Sequence, residues 1–182
     1  MMRTLIIGGA RSGKSAYAER LAVASRKRII YIATAQAGDD EMKSRIAHHR
    51  ERRDVYWTTV EEPIELARTI EKHSGPDTLI LVDCLTVWLS NLLFSEARSY
   101  PEVGVIEPPP AFQYQRALLL KALENAKGGV VLVSNEIGQG VVPQGAISRW
   151  FVDESGRLNQ DVAAVCDRAV LIVAGLPLAL KG

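Results

Sequence analysis

No stretch of this sequence is apolar for long enough to cross a membrane as a helix. Cysteine is scarce, with only Cys84 and Cys166, far apart in the chain and both in apolar surroundings. Two cysteines leave open at most one Cys84–Cys166 bridge, and the expected state is two buried free thiols in a reducing cytoplasm. Net charge is almost absent at +1, so no overall field draws the chain to nucleic acid or to an anionic membrane. The first residues lack the charged, apolar and small-residue layout of a secretory leader, and the expected location is cytoplasmic. Aromatics make up only 6% of the chain, and no internal repeat is visible. What remains is an ordinary globular composition, 47% hydrophobic and 24% charged over 182 residues. One domain spanning 1–182 with a proper core is the expectation.

The most informative stretch is Thr4–Ser15, where an apolar run, Leu5–Ile7, breaks at Gly8 and Gly9 and a helical pattern starts near Ser15. Gly8-Gly9-Ala10-Arg11-Ser12-Gly13-Lys14-Ser15 fits G-x-x-x-x-G-K-[ST], the phosphate-binding P-loop. Glycines let successive N–H groups converge on a polyphosphate, and the following helix adds its positive end. Lys14 is expected to reach the β- and γ-phosphates, and Ser15 to bind Mg²⁺ through its hydroxyl. The chain is predicted to bind a nucleoside triphosphate.

Strand and helix then alternate. Arg28–Ala33 reads as a strand, ending in Thr34-Ala35-Gln36 at the carboxyl edge where ligands bind in open α/β sheets. Asp39–Arg53 reads as a helix with a strongly basic side (Lys43, Arg45, Arg50, Arg52, Arg53) and the pair His48-His49. Cations there suit a triphosphate, and a histidine among them suits a base or nucleophile. Val55–Val60 is expected to be an extended edge, and Ile64–His73 a helix opened by Pro63. Thr78–Asp83 is an apolar strand ending in an acid, the layout in which a carboxylate orients Mg²⁺. Leu85–Phe94 is apolar enough to be buried, in the core or against another subunit.

Glu96–Pro110, with four prolines, reads as a surface insert, and Phe112–Ala126 as a helix. Val130–Val133 is a strand followed by Ser134-Asn135-Glu136. Two helices, Ser148–Phe151 and Leu158–Cys166, are expected on either side of Asp153–Arg157. Ala169–Val173 and the short Leu178–Leu180 are the last strand candidates. The fold class is therefore α/β, a mainly parallel sheet with helices on both faces. His73, beside a turn, reads as a surface residue.

Several stretches coincide in a more selective way. They are the P-loop, Tyr31-Ile32-Ala33-Thr34-Ala35, Asp39-Asp40-Glu41-Met42 with Arg45-Ile46, His48-His49 and Arg52, and Val82-Asp83-Cys84-Leu85-Thr86 with Trp88-Leu89. Val133-Ser134-Asn135-Glu136-Ile137-Gly138 and Gly156-Arg157 with Asn159-Gln160 complete the set. Together they resemble the bifunctional adenosylcobinamide kinase / adenosylcobinamide-phosphate guanylyltransferase family of cobalamin biosynthesis, nearly end to end. The resemblance weakens only in Glu96–Pro110.

It implies a RecA-like P-loop NTPase fold, Mg²⁺ with ATP or GTP, adenosylcobinamide as acceptor, and a homotrimer. It implies a kinase step on the aminopropanol hydroxyl and then GMP transfer through a guanylylated histidine, which maps to His48. It also implies nucleotide contacts at Ala33, Thr34 and Ala35, at His49, Arg50, Glu51 and Arg52, and at an acid mapping to Glu61, with Glu62 as a shift by one. The strand-end carboxylate maps to Asp83. By residue chemistry alone His49 reads as a flanking or surface side chain. Asn135 and Glu136 are candidates to position Mg²⁺ or the substrate hydroxyl.

Two other readings fit the residues. One is a single-activity P-loop small-molecule kinase in which His48 only binds phosphate. The other is a non-catalytic nucleotide switch or assembly subunit, against which stands the absence of the guanine-reading Asn-Lys-x-Asp. Covalent labelling from the α-phosphate of GTP separates the first from the bifunctional enzyme, and acceptor-independent slow hydrolysis marks the second.

Overall fold

Runs rich in Ile, Val and Leu favour extended backbone, and where both faces are covered such strands are apolar throughout. In the computed structural model, which describes residues 2–35 and 57–182, these runs build a seven-stranded sheet. Its elements are β1 (Arg3–Gly8), α1 (Lys14–Ala24), β2 (Arg28–Ala33), β3 (Thr58–Glu61), α2 (Leu66–His73), β4 (Thr78–Asp83) and α3 (Leu85–Leu93). There follow α4 (Pro110–Asn125), β5 (Gly129–Asn135), α5 (Ala146–Val165), β6 (Arg168–Val173) and β7 (Leu176–Lys181). The strand order is β3-β2-β4-β5-β1-β6-β7, and all neighbours run parallel except the last pair.

The period-2 alternation of side chains splits each strand between two cores. Leu5, Ile30, Ile32, Ile80, Val82, Val130 and Leu132 pack with Leu66, Trp88, Phe112 and Leu158 from α2 to α5 on one face. Ile6, Ile29, Tyr31, Leu81, Val133 and Ile172 pack with Ala18 and Ala22 of α1 on the other. The apolar positions of α3 are thus buried in this chain's own core. Both cysteines are buried free thiols, each pushed up to about 11 chiefly by burial.

Three expectations change. The residues Asp153–Arg157 do not separate two helices: α5 runs unbroken for 20 residues. Glu154 and Ser155 are buried within it, and Glu154 forms ion pairs with Arg116 and Arg157. A mid-helix glycine costs about 1 kcal/mol, which packing of this kind overrides. The last strand is longer than Leu178–Leu180, because Ala174 (φ +52°) and Gly175 (φ +78°) form a tight turn that pairs β7 along β6. The helix after Pro63 begins later, at Leu66, with the Glu62 carboxylate accepting from the N–H groups of Ile64 (3.0 Å) and Glu65 (2.7 Å).

The Glu96–Pro110 insert holds no helix or strand before α4, as expected, and its Ile106 is buried. The expected helix Asp39–Arg53, with His48 and His49, lies outside the described residues.

Candidate active site

The parallel strands all end on one side of the molecule, and the phosphate loop sits there at the end of β1. Gly8 is buried, and a Cβ on it would lie 2.5 Å from Ser12 Oγ and 2.6 Å from the Ile172 carbonyl oxygen. Only glycine allows the loop to turn that close to β6. Arg11 (φ +56°) and Gly13 (φ +94°) take left-handed backbone, which curls the loop back toward α1. The turn after β6 supports it from outside: the Gly175 N–H donates to the Ser12 carbonyl at 2.8 Å.

No side chain caps the first turn of α1. Its free N–H groups therefore face the loop as a ready anion site. Lys14 folds across, its Nζ donating to the Gly9 carbonyl at 3.0 Å. Burial pushes the Lys14 ammonium pKa down, and the negative field of Asp83 works against that. A polyphosphate in the loop would compete for this ammonium, since charge-assisted bonds to phosphate are stronger than one to a neutral carbonyl.

Across the sheet the register aligns the other candidates. Ala33 pairs with Glu61 of β3 on one side and with Asp83 of β4 on the other. Gly8 pairs with Asn135 of β5 and Ile172 of β6. Since β5 lies between β1 and β4, Asp83 stands two strands from the loop, roughly 10 Å. The Tyr31 hydroxyl donates to Asp83 Oδ2 at 3.1 Å and orients the carboxylate. The Asp83–Cys84 peptide is cis.

Thr34 is buried and locks this corner. Its hydroxyl donates to the Cys84 carbonyl (2.8 Å) and accepts from the Cys84 N–H (2.9 Å). Asn91 Nδ2 in turn donates to the Thr34 carbonyl at 2.8 Å. Ala33 and Ala35 are half-buried beside it, and Glu61 is exposed. Glu62 is occupied with α2, its second oxygen accepting the Thr69 hydroxyl at 3.2 Å.

A second hydroxyl lock holds the end of β5. The Asn135 N–H donates to Thr86 Oγ1 at 2.7 Å, and Asn159 Nδ2 of α5 donates to the Asn135 carbonyl at 3.2 Å. The Glu136 N–H donates to the Gly8 carbonyl at 3.0 Å, which fastens this corner to the loop.

The model of the cobinamide kinase / cobinamide phosphate guanyltransferase family matches residues 4–180. The chain belongs to that family. A bifunctional adenosylcobalamin biosynthesis protein of Pseudomonas aeruginosa, CobP, is 50% identical over 100% of this chain and 98% of its own. CobU of Escherichia coli, which carries the same description, is 38% identical over 99% of this chain and all of its own.

Two solved structures share the fold at low identity. The ATPase EscN of an enteropathogenic E. coli type III secretion system matches at 15% identity and TM-score 0.57, over 95% of this chain and 43% of its own. The RadB recombinase matches at 16% identity and TM-score 0.51, over 93% and 73%. This chain thus spans less than half the length of that secretion ATPase. The likeness places the sheet among P-loop ATPase folds.

Within this family member the structure gathers Gly8 through Ser15, Ala33, Thr34, Ala35, Glu61 and Asp83 along one sheet edge. The remaining candidates, His48, His49, Arg50, Glu51 and Arg52, lie outside the described residues. Thr86, Asn159 and Gly175 carry no site role in the sequence reading. Thr86 and Asn159 stand in stretches that carry the family resemblance, but they act on main-chain atoms of Asn135, and that role leaves no trace in residue type. Gly175 had one usable sign, an Ala-Gly pair between two apolar runs, which marks a hairpin turn.

Proposed function

We propose that this chain phosphorylates the aminopropanol hydroxyl of adenosylcobinamide, with ATP or GTP as donor. It then moves GMP from GTP, through a guanylyl-histidine at His48, onto the new phosphate to give adenosylcobinamide-GDP and pyrophosphate. The observation that carries this reading is a phosphate loop with an uncapped helix start, in a chain matched by the family from residue 4 to residue 180. The role of His48 follows from the family motif around it. A neutral imidazole is nucleophilic near pH 7, and its attack on the α-phosphorus expels pyrophosphate. The loop amides and Lys14 stabilise the charge that leaves.

Ser15 on the first turn of α1 and Asp83 at the end of β4 are hard oxygen donors, the chemistry that Mg²⁺ prefers. Among the described residues no group of three or more His, Cys, Asp or Glu could cage a metal. Two protein oxygens plus nucleotide phosphates suit Mg²⁺, which keeps several waters. When bound, the ion supplies charge neutralisation on the phosphates. Ala33, Ala35, His49, Arg50, Glu51, Arg52 and Glu61 contact the nucleotide in this reading, whereas Thr34, fully buried with its polar atoms paired, holds that edge in shape. The protein works in the cytoplasm as a homotrimer. No helix among the described residues is long and apolar enough to cross a membrane.

The test is incubation with GTP labelled at the α-phosphate, followed by denaturation, for wild type, His48→Asn and His49→Asn. Acid-labile, alkali-stable label in wild type and His49→Asn, lost in His48→Asn, is the expected result. No label in any of the three, with nucleotide binding intact, leaves a P-loop kinase without the second activity.

A further inference from the structure

If the reading above holds, its first reaction needs something its second does not. An alcohol must give up a proton as it attacks the γ-phosphorus, so a base helps. The phosphate that later accepts GMP is already ionised near neutral pH and needs none. Among the described residues four carboxylates stand at the carboxyl edge of the sheet: Glu61, Glu62, Asp83 and Glu136. Glu62 is taken up by the start of α2. Asp83 accepts the Tyr31 hydroxyl and faces Lys14, a setting for a cation. Glu61 ends the edge strand β3, four strands from the loop and roughly 19 Å away.

Glu136 alone is fastened to the phosphate loop, through its N–H to the Gly8 carbonyl at 3.0 Å. Its Oε1 accepts the Gly138 N–H at 2.9 Å, which aims the side chain without neutralising it. The backbone just before it is gripped from both sides, by Thr86 on the Asn135 N–H and by Asn159 on the Asn135 carbonyl. Asn159 is only 8% exposed, and its Oδ1 is buried without a hydrogen-bond partner. A buried orphan acceptor is costly, and sites that await a ligand are where such groups persist.

We propose that Glu136 is the general base of the phosphoryl step and that Thr86 and Asn159 are its positioning residues. The acceptor's O–H proton passes to the Glu136 carboxylate as its oxygen bonds to the γ-phosphorus. The bond from that phosphorus to the β,γ-bridging oxygen breaks, and its electron pair leaves with the nucleoside diphosphate. Glu136 returns the proton to water.

The experiment assays the two halves separately in Glu136→Gln, a substitution that keeps shape and removes basicity. Adenosylcobinamide with ATP reads the kinase, and α-labelled GTP with added adenosylcobinamide phosphate reads guanylylation and transfer. Kinase kcat is expected to fall roughly 100- to 10,000-fold, with KM for ATP and the guanylyl half unchanged. Thr86→Val should show the same split more weakly, and Thr86→Ser should restore the kinase.

Full kinase activity in Glu136→Gln overturns the proposal. So does an equal loss in both halves, which marks a metal-binding or structural role. If wild type itself leaves adenosylcobinamide unphosphorylated while binding nucleotide, the functional reading falls and the base assignment falls with it.

Discussion

Two polar networks share the helix α5, one around Glu154 and one around Asn159, and they differ in one respect. Near its middle, Arg116 of α4 is 7% exposed and pairs with Glu154, itself 5% exposed, and with Asp161 at 3.0 Å. Arg157 takes the other oxygen of Glu154, and the Arg116 guanidinium lies 5.6 Å from the centre of the Phe112 ring. Both Glu154 oxygens are taken by cations, and the network closes on itself. At the sheet edge, the neutral network of Thr86, Asn135 and Asn159 does not close. Asn159 Oδ1 is left without a partner there, as is the buried Ser12 Oγ in the phosphate loop. Buried polar groups are nearly always satisfied in a finished structure. The closed network holds helices together, and the open one leaves an acceptor, Asn159 Oδ1, unpaired beside the end of β5.

The largest effect should come from breaking the closed network. Arg116→Met leaves Glu154 buried with Arg157, which is 61% exposed, as its remaining cation. Loss of about 3 kcal/mol in unfolding free energy is expected, since the buried carboxylate keeps only a solvent-exposed partner. Urea unfolding measures it, and the surviving folded enzyme should bind GTP as before. If nucleotide affinity falls with stability, the two networks are not separate.

The opposite balance is expected at the open end. Asn159→Leu gives up one bond to Asn135 but also removes the orphaned Oδ1. Taking the donor from the part-buried Asn135 carbonyl is costly, removal of the orphaned Oδ1 offsets part of that, and a net loss of about 1 kcal/mol is expected. Kinase turnover should nonetheless drop while guanylylation survives. A large stability loss instead would make Asn159 a structural residue like Glu154.

Legibility in the sequence follows the range of the interaction. The phosphate loop is local, with every determinant inside Gly8–Ser15, so both its place and its chemistry could be read directly. The apolar strands were readable, and β4 marks its own end at Asp83, whereas β5 runs past the expected Val133 through two polar residues, Ser134 and Asn135. The continuity of α5 was not readable, because the residue that makes Glu154 acceptable in a helix interior is Arg116, 38 positions upstream. Thr86 and Asn159 lie in stretches that resemble the family, yet what they do was hidden for a related reason. Each acts on the backbone of a residue far off in sequence, and no residue type announces that. The proposed role of His48 rests on family resemblance, since a histidine pair on a basic stretch has no single chemical meaning.

An exposed ion pair supplies the smallest and most useful contrast, because it is well formed yet lies in water. Asp167, in the turn before β6, accepts from Arg3 three times: the N–H at 2.7 Å, Nε at 3.3 Å and a terminal nitrogen at 3.0 Å. The Arg3 hydrogen bonds hold its carboxyl at about 2, below the ordinary 3.8. A depressed carboxyl pKa stabilises the fold fully above the ordinary value, and the benefit drains as pH falls from about 4 toward 2. With side chains 27% and 40% exposed, solvent screens the pair. Its worth at neutral pH is therefore a few tenths to about 1 kcal/mol. Asp167→Asn should lose that amount at pH 7 and show a shallower decline in stability between pH 4 and 2, read by thermal unfolding across that range. A loss as large as that of Arg116→Met would mean that satisfaction of hydrogen bonds, and not burial of charge, sets the scale in this protein.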